Sequence, residues 1–363
     1  MNYTIRNNCI FCINKLSEEY FDKDLDFPIS SYSTNEQIKS PIIIPYNIYC
    51  CTECKTYQTK YLGDLNIIYS INHADAHGSI RSEMMTQFSN LILNNSNVHR
   101  ILEIGAGNGI LSDIITEKDK NIEYFIADPS YFGNTTNKIV IRSFIENVDI
   151  ESLNIDTIVI SHVFEHLYSP LDILSKFKHV KHVYLNFPDL ETYIKKNTYH
   201  VLNPEHVYYV ENDFISDLFN NYKFETKQRI DFNDHSVFFE FHRNDDLQPI
   251  VLKNKNSDID IKHFFDTLKS KIEKINTLIE TVNKPIYLWP CSMHSIFLSV
   301  FGLNMNKIDG FVDNSSMKID KYLYGFNKPC YSFKGKEEED CIVLISGGCF
   351  NKELSTNDKY KFI

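Results

Sequence analysis

The chain has 363 residues, of which 43% are hydrophobic and 23% charged. That excludes a disordered or collagen-like polymer and leaves room for two or three domains. With 37 basic and 48 acidic residues the net charge is −11, which argues against a partner such as nucleic acid or an anionic membrane. No apolar run reaches the ~18 residues of a membrane span, and Met1 to Cys12 lacks a basic region followed by an apolar core, so a soluble cytoplasmic protein is expected.

The first block, residues 1–65, holds Cys9-x-x-Cys12 and Cys51-x-x-Cys54 around a stretch with Pro28, Pro41 and Pro45. Its one strong apolar run is Pro41 to Tyr49, so it has little core of its own. Two thiolate pairs can surround one tetrahedral ion and leave no position open for catalysis. A small zinc-binding domain with structural Zn2+ on Cys9, Cys12, Cys51 and Cys54 is therefore expected, with Cys50 able to replace Cys51. The nine cysteines are odd in number, and Cys291, Cys330, Cys341 and Cys349 are expected to be thiols.

The second block, residues 66–245, alternates helix-like and strand-like segments. Helices are expected at Met84 to Leu93, Leu111 to Thr116, Pro170 to Phe177 and Asp213 to Phe219. Strands are expected at Arg100 to Ile104, Glu123 to Ala127, Asp156 to Ser161 and His182 to Asn186. Such alternation predicts an α/β unit with a parallel sheet covered by helices. In the third block, residues 246–363, Asp245 to Asp260 reads as a polar linker. Apolar residues spaced by three and four from Phe264 to Val282 then predict an amphipathic helix. Strands at Pro285 to Trp289, Ile308 to Val312 and Cys341 to Ile345, with a helix at Met293 to Phe301, predict a second, smaller α/β domain.

The strongest chemical signal is Glu103-Ile-Gly105-Ala106-Gly107-Asn108-Gly109, where a strand runs into three glycines and then a helix. Glycine lets the backbone approach a ligand without a Cβ in the way. Ile110 stands where a dinucleotide fingerprint needs its third glycine, which disfavours a nicotinamide cofactor. Asp128 ends the next strand, where its carboxylate can accept both hydroxyls of a ribose.

This pattern resembles motifs I and II of the class I S-adenosylmethionine-dependent methyltransferases, which implies a Rossmann-like core. In that family the glycine loop wraps the methionine part of the cofactor and the acid holds the ribose. The resemblance implies cofactor contacts at Glu103, Gly105, Ala106, Gly107, Asn108, Gly109, Asp128, Pro129, Ser143, Phe144 and His162. His162-Val-Phe-Glu-His166 followed by Pro170 resembles the fourth-strand motif of the same superfamily. Asn203-Pro-Glu205-His206 resembles the Glu-His segment that supplies a base in sugar methyltransferases.

The combination of a cysteine-paired front, this core and a carboxyl-terminal Rossmann-like unit resembles the three-domain sugar C-methyltransferases. Their acceptors are nucleotide-linked keto sugars, and the third domain helps hold the nucleotide, here near Leu288 to Ser295 and Gly310 to Asn314. The resemblance implies His206 as general base oriented by Glu205, with His166 as the alternative base, and an acceptor pocket lined by Tyr69, His73, His77 and His235. The family's Tyr-His-Glu-His is Asn203-Pro204-Glu205-His206 here, and one tyrosine of a pair is Ile71, so both C- and O-methylation remain open. A non-catalytic binding module and a protein methyltransferase are the other readings.

Overall fold

The computed structural model describes residues 2–19, 25–70, 78–255, 260–336, 339–348, 351 and 360–362. Its largest element is a sheet of β1 (Arg100–Ile104), β2 (Glu123–Ala127), β3 (Lys138–Ile141), β4 (Thr157–Ser161), β5 (His182–Pro188), β6 (Phe224–Phe232) and β7 (Ser236–Arg243). The spatial order is β3-β2-β1-β4-β5-β7-β6. β3 through β5 pair in parallel, and β7 runs antiparallel to both β5 and β6. The chain steps outward from β1 on one side and resumes at β4 on the other. A crevice therefore opens beyond the carboxyl ends of β1 and β4.

Both faces of the parallel strands are covered, and all seven residues of β5 are buried, as an apolar run in a parallel sheet requires. The expected helices are present with longer bounds at Ser79–Leu93, Ile110–Lys118 and Asn212–Asn221, while Pro170–Ser175 is shorter. β3 and the β6–β7 hairpin add to the expected strands. Asn233 and Asp234 turn that hairpin with φ of 44° and 55°, the left-handed pair that matches the twist of the flanking strands.

A second parallel sheet contains β8 (Ile286–Trp289), β9 (Gly310–Asp313), β10 (Cys330–Ser332), β11 (Ile342–Ile345) and β12 (Tyr360–Phe362), in the order β10-β9-β8-β11-β12. It reverses direction at β8, so it has a crevice of its own. The helix Ile261–Glu280 buries Phe264, Phe265, Leu268, Ile272, Ile275 and Ile279; Val282 lies beyond its end. The stretch read as a linker is pinned where it is described. Asn254 donates its N–H to the Cys54 carbonyl at 2.8 Å and accepts the Glu211 N–H at 2.9 Å. Among the described residues no helix is long and apolar enough to cross a membrane.

The first block divides its apolar residues between its neighbours. Phe27, Ile29, Ile44, Tyr46 and Ile48 pack in one cluster with the helix Ile261–Glu280 and with Phe297. Cys9, Phe11, Leu16, Tyr49, Cys51 and Cys54 pack with the large sheet. Strand pairing crosses the same boundaries: Tyr57–Thr59 pairs with Tyr208–Tyr209, and Ser33–Thr34 with Tyr322–Leu323. Phe27 is fully buried, with its ring 5.0 Å from that of Tyr46 and 5.3 Å from that of Phe297. Phe27→Ala should cost about 3–5 kcal/mol of stability, read as a lower midpoint in urea denaturation. A midpoint equal to that of the parent would show that the first block is not held by this contact.

Candidate functional site

A cavity of about 940 Å³ joins the crevices of the two sheets. One end is walled by Gly105 to Asn108, Asp128, Pro129 and Phe144, the other by Trp289, Ser292, His294 and Asp313 to Lys318. Between them lie Tyr69, His162, Glu165, His166, Glu205, His206 and His235.

The glycine loop is built around Asp128. Its Oδ2 accepts the Gly107 N–H at 2.7 Å and its Oδ1 the Ser130 N–H at 2.8 Å. Burial raises the Asp128 carboxyl, and these two N–H groups oppose the shift. Gly105, Gly107 and Gly109 have φ of 69°, 57° and 78°, values open to glycine at little cost. They differ in what surrounds them. A Cβ on Gly105 would lie 2.5 Å from Val163 Cγ2 and one on Gly109 2.4 Å from the Tyr131 hydroxyl, whereas one on Gly107 meets no atom within 4 Å. Gly107 is thus the place where backbone faces open cavity, and the loop fits a ligand laid across it. Gly109 caps the following helix and Ser143 donates to the Phe144 carbonyl; of the residues expected to touch the cofactor, these two stand behind the cavity wall. Glu103 is buried, accepts the Tyr124 hydroxyl at 2.9 Å and is pushed by burial up to about 7.

Glu165, only 1% exposed, stands where three histidines meet. Its Oε1 lies 3.4 Å from His162 Nδ1, 4.0 Å from His166 Nε2 and 3.9 Å from His206 Nε2. Neither carboxylate oxygen has a hydrogen-bond partner among the described residues, and burial pushes Glu165 up to about 7, with His206 opposing. Burial lowers His206, against the pull of Glu165. His206 Nδ1 donates to the Val201 carbonyl at 2.7 Å, which turns Nε2 toward Glu165. Glu165 thus faces His206, while Glu205, the residue expected to orient it, accepts the Ser31 hydroxyl on its Oε1 at 3.5 Å. The turn Phe164–His166 brings Glu165 inward. His162 takes a left-handed φ of 52°, its N–H held by the Asn186 carbonyl at 2.9 Å; such strain in a non-glycine residue concentrates at functional sites.

Tyr69 places its hydroxyl 3.5 Å from His166 Nδ1. His235 and His162 flank the Ser236 hydroxyl, which is 3.0 Å from His162 Nε2. His73 and His77 lie outside the described residues. His200 and His294 carried no expectation of their own. Their rings meet at 3.8 Å between centroids, and burial takes His294 down to about 3 and His200 well below its ordinary range. They come from the turn Tyr199–Leu202 and the helix Met293–Val300, and no short motif announces such a meeting.

The four expected cysteines converge at the amino end, with their sulfur atoms within 4.8 Å of one another. Cys9 and Cys54 are 3.4 Å apart, as are Cys12 and Cys51. Gln58 donates to Cys9 Sγ at 2.9 Å and the Phe11 N–H at 3.4 Å, the donors a thiolate needs. The Cys50 sulfur instead faces the Cys51 carbonyl, so Cys51 is the fourth member.

Residues 77–228 match the family model described as a methyltransferase domain. Among solved structures, the N-methyltransferase NodS from Bradyrhizobium japonicum, in complex with S-adenosyl-L-homocysteine, is 12% identical and aligns over 49% of this chain and 97% of its own, with a TM-score of 0.38. The plantazolicin methyltransferase BpumL, also with S-adenosylhomocysteine, is 14% identical over 46% of this chain and 84% of its own, with a TM-score of 0.36. The pyocyanin biosynthetic protein PhzM is 13% identical over 45% of this chain, with a TM-score of 0.36, and the chain spans 56% of its length. A search of curated protein sequences gave no match.

The glycine geometry separates fold from ligand. Gly105→Ala should lower the melting temperature by itself, through the Val163 overlap. Gly107→Ala should cost only the ~1–2 kcal/mol of a left-handed alanine while weakening S-adenosylhomocysteine binding more than tenfold, a loss of over ~1.4 kcal/mol. Thermal melts and isothermal titration check both.

Proposed function

We propose that the protein transfers a methyl group from S-adenosylmethionine to a nucleotide-linked sugar. The observation that carries the reading is the single cavity between two sheet crevices, each built on the same device. Asp313 ends β9 as Asp128 ends β2. Its Oδ2 accepts the Cys291 N–H at 3.1 Å and its Oδ1 the Ser315 N–H at 3.0 Å. The second crevice thus repeats, around Pro290 to Ser292, the carboxylate-held loop that the first forms around Gly107. One crevice suits the methyl donor and the other the nucleotide of the acceptor, with Lys318 Nζ 3.1 Å from Asp313 as the local cation.

S-Adenosylmethionine, when bound, supplies an electrophilic methyl group on a sulfonium. The chain's own residues then align donor and acceptor within the one cavity. Gly105 to Asn108 and Asp128 hold the donor, with Pro129 and Phe144 beside them. The acceptor atom, a hydroxyl oxygen or the carbon beside a keto group, comes to the cluster of His166, His206 and Glu165. Tyr69 and His235 flank that position, and Glu205 supports the turn that carries His206.

His206→Ala should abolish turnover and leave S-adenosylhomocysteine affinity within twofold; full activity in that variant sinks the assignment. The nucleotide reading has a separate readout. S-Adenosylhomocysteine and a nucleoside diphosphate should each raise the melting temperature, by an amount that grows with ligand concentration as ligand linkage requires. A methyltransferase acting on protein would respond to the first alone.

We further propose that Cys9, Cys12, Cys51 and Cys54 hold one structural zinc ion. Four sulfur ligands with N–H donors around them suit that ion and leave no position for chemistry. Elemental analysis should find one zinc per chain, and Cys51→Ser should lose the ion together with several degrees of melting temperature.

A further inference from the structure

The Glu165 cluster has more order than a set of proton-transfer groups requires. We propose that Glu165, His166 and His206 bind one divalent first-row cation that accepts nitrogen and oxygen ligands, with positions left open toward the cavity. The inference rests on the reading of this cavity end as the acceptor site and specifies how that end engages the acceptor.

Glu165 supplies the first argument. A carboxylate 1% exposed, with no hydrogen bond to either oxygen among the described residues, is costly to bury. Its burial is repaid when a cation sits against it. Geometry supplies the second. One nitrogen each of His166 and His206 and one oxygen of Glu165 lie within 4.8 Å of one another. The Glu165 pairs at 4.0 Å and 3.9 Å fall within the ~4.2 Å that two ligands, each ~2.1 Å from one ion, can span.

The second shell is the third argument. Metal-bound imidazoles present one nitrogen to the ion and engage the other with a carbonyl or hydroxyl, which fixes tautomer and ring orientation. His206 Nδ1 meets the Val201 carbonyl at 2.7 Å and His166 Nδ1 the Tyr69 hydroxyl at 3.5 Å. Both Nε2 atoms are the ones turned to Glu165. Two imidazoles and one carboxylate on one side of an ion leave the opposite side for exogenous ligands. That side is the cavity, so an acceptor hydroxyl or keto oxygen completes the coordination and is polarised there. With the cation in place His206 is a ligand, and the acceptor is activated by the ion.

Mn2+ is the suitable probe, because a four-thiolate site selects softer ions and Mn2+ binding is read by electron paramagnetic resonance without turnover. The full-length protein should bind one Mn2+ per chain, with zinc at the cysteines unaffected. Glu165→Gln, close in shape, and separately His166→Ala should each weaken Mn2+ binding on the order of 100-fold while still binding S-adenosylhomocysteine, which certifies the fold. Absence of saturable Mn2+ binding to the parent protein, or parental affinity in both variants, overturns the proposal. Loss of S-adenosylhomocysteine binding by the parent, with Mn2+ still bound, counts instead against the methyltransferase reading of the cavity.

Discussion

Each of the two larger sheets of this protein is closed at its crevice by one carboxylate that accepts two backbone N–H groups, one from its own turn and one from the loop after the neighbouring strand. For Asp128 these are Ser130 and Gly107, and for Asp313 they are Ser315 and Cys291. A loop that leaves a parallel strand has N–H groups that no ladder satisfies, and burying them unpaired is expensive. A carboxylate from the adjacent strand satisfies them and fixes the spacing between the two strand ends. Because both crevices are held open in this way and face one cavity, everything between them is placed by two rigid rims.

What could be read in the sequence follows from how local each cause is. β1 and β2 were legible to the residue, since a buried parallel strand is an apolar run ended by glycine or aspartate. β6 was not: as the edge strand Phe224–Phe232 it leaves its middle exposed and shows no clean alternation. The first block hid most of its strands because they are two to four residues long and pair with segments distant in the chain, as Tyr57–Thr59 does with Tyr208–Tyr209. At the site, Gly105 to Gly109, Asp128 and His206 announced themselves by motif. Glu165 stood inside a motif without a role, because its importance comes from burial among residues of three segments, and His200 meets His294 only through tertiary packing.

The cavity wall sorts its charges by burial. Burial holds His200, His235 and His294 below their ordinary range, hence neutral near pH 7. These imidazoles offer hydrogen bonds without adding cations. On the proposed reading they can hold ligand groups in place by hydrogen bonds alone. Glu165 is then the exception that needs a counterpart, and His206, lowered by burial, is poorly suited to supply a full positive charge.

The cysteine cluster reaches the same place by a mechanical route. Gln58 donates to Cys9 Sγ and pairs across the sheet with Tyr208, two residues beyond His206. Arg6, half-buried beside the cluster and lowered to about 10 by loss of water around its guanidinium, donates to the carbonyls of Thr59 and Val207 at 3.0 Å and 2.7 Å. Phe11, between Cys9 and Cys12, stands edge-on to Tyr208 and Phe214 at 5.0 Å and 4.9 Å. The segment carrying His206 is thus bound on its carboxyl side to a block that has no separate core to keep it in place. A clasp that fixes four sulfur atoms supplies what apolar burial alone does not: a rigid edge against which Tyr208 and Tyr209 can pair, so that the His206 imidazole meets Glu165 at a fixed distance.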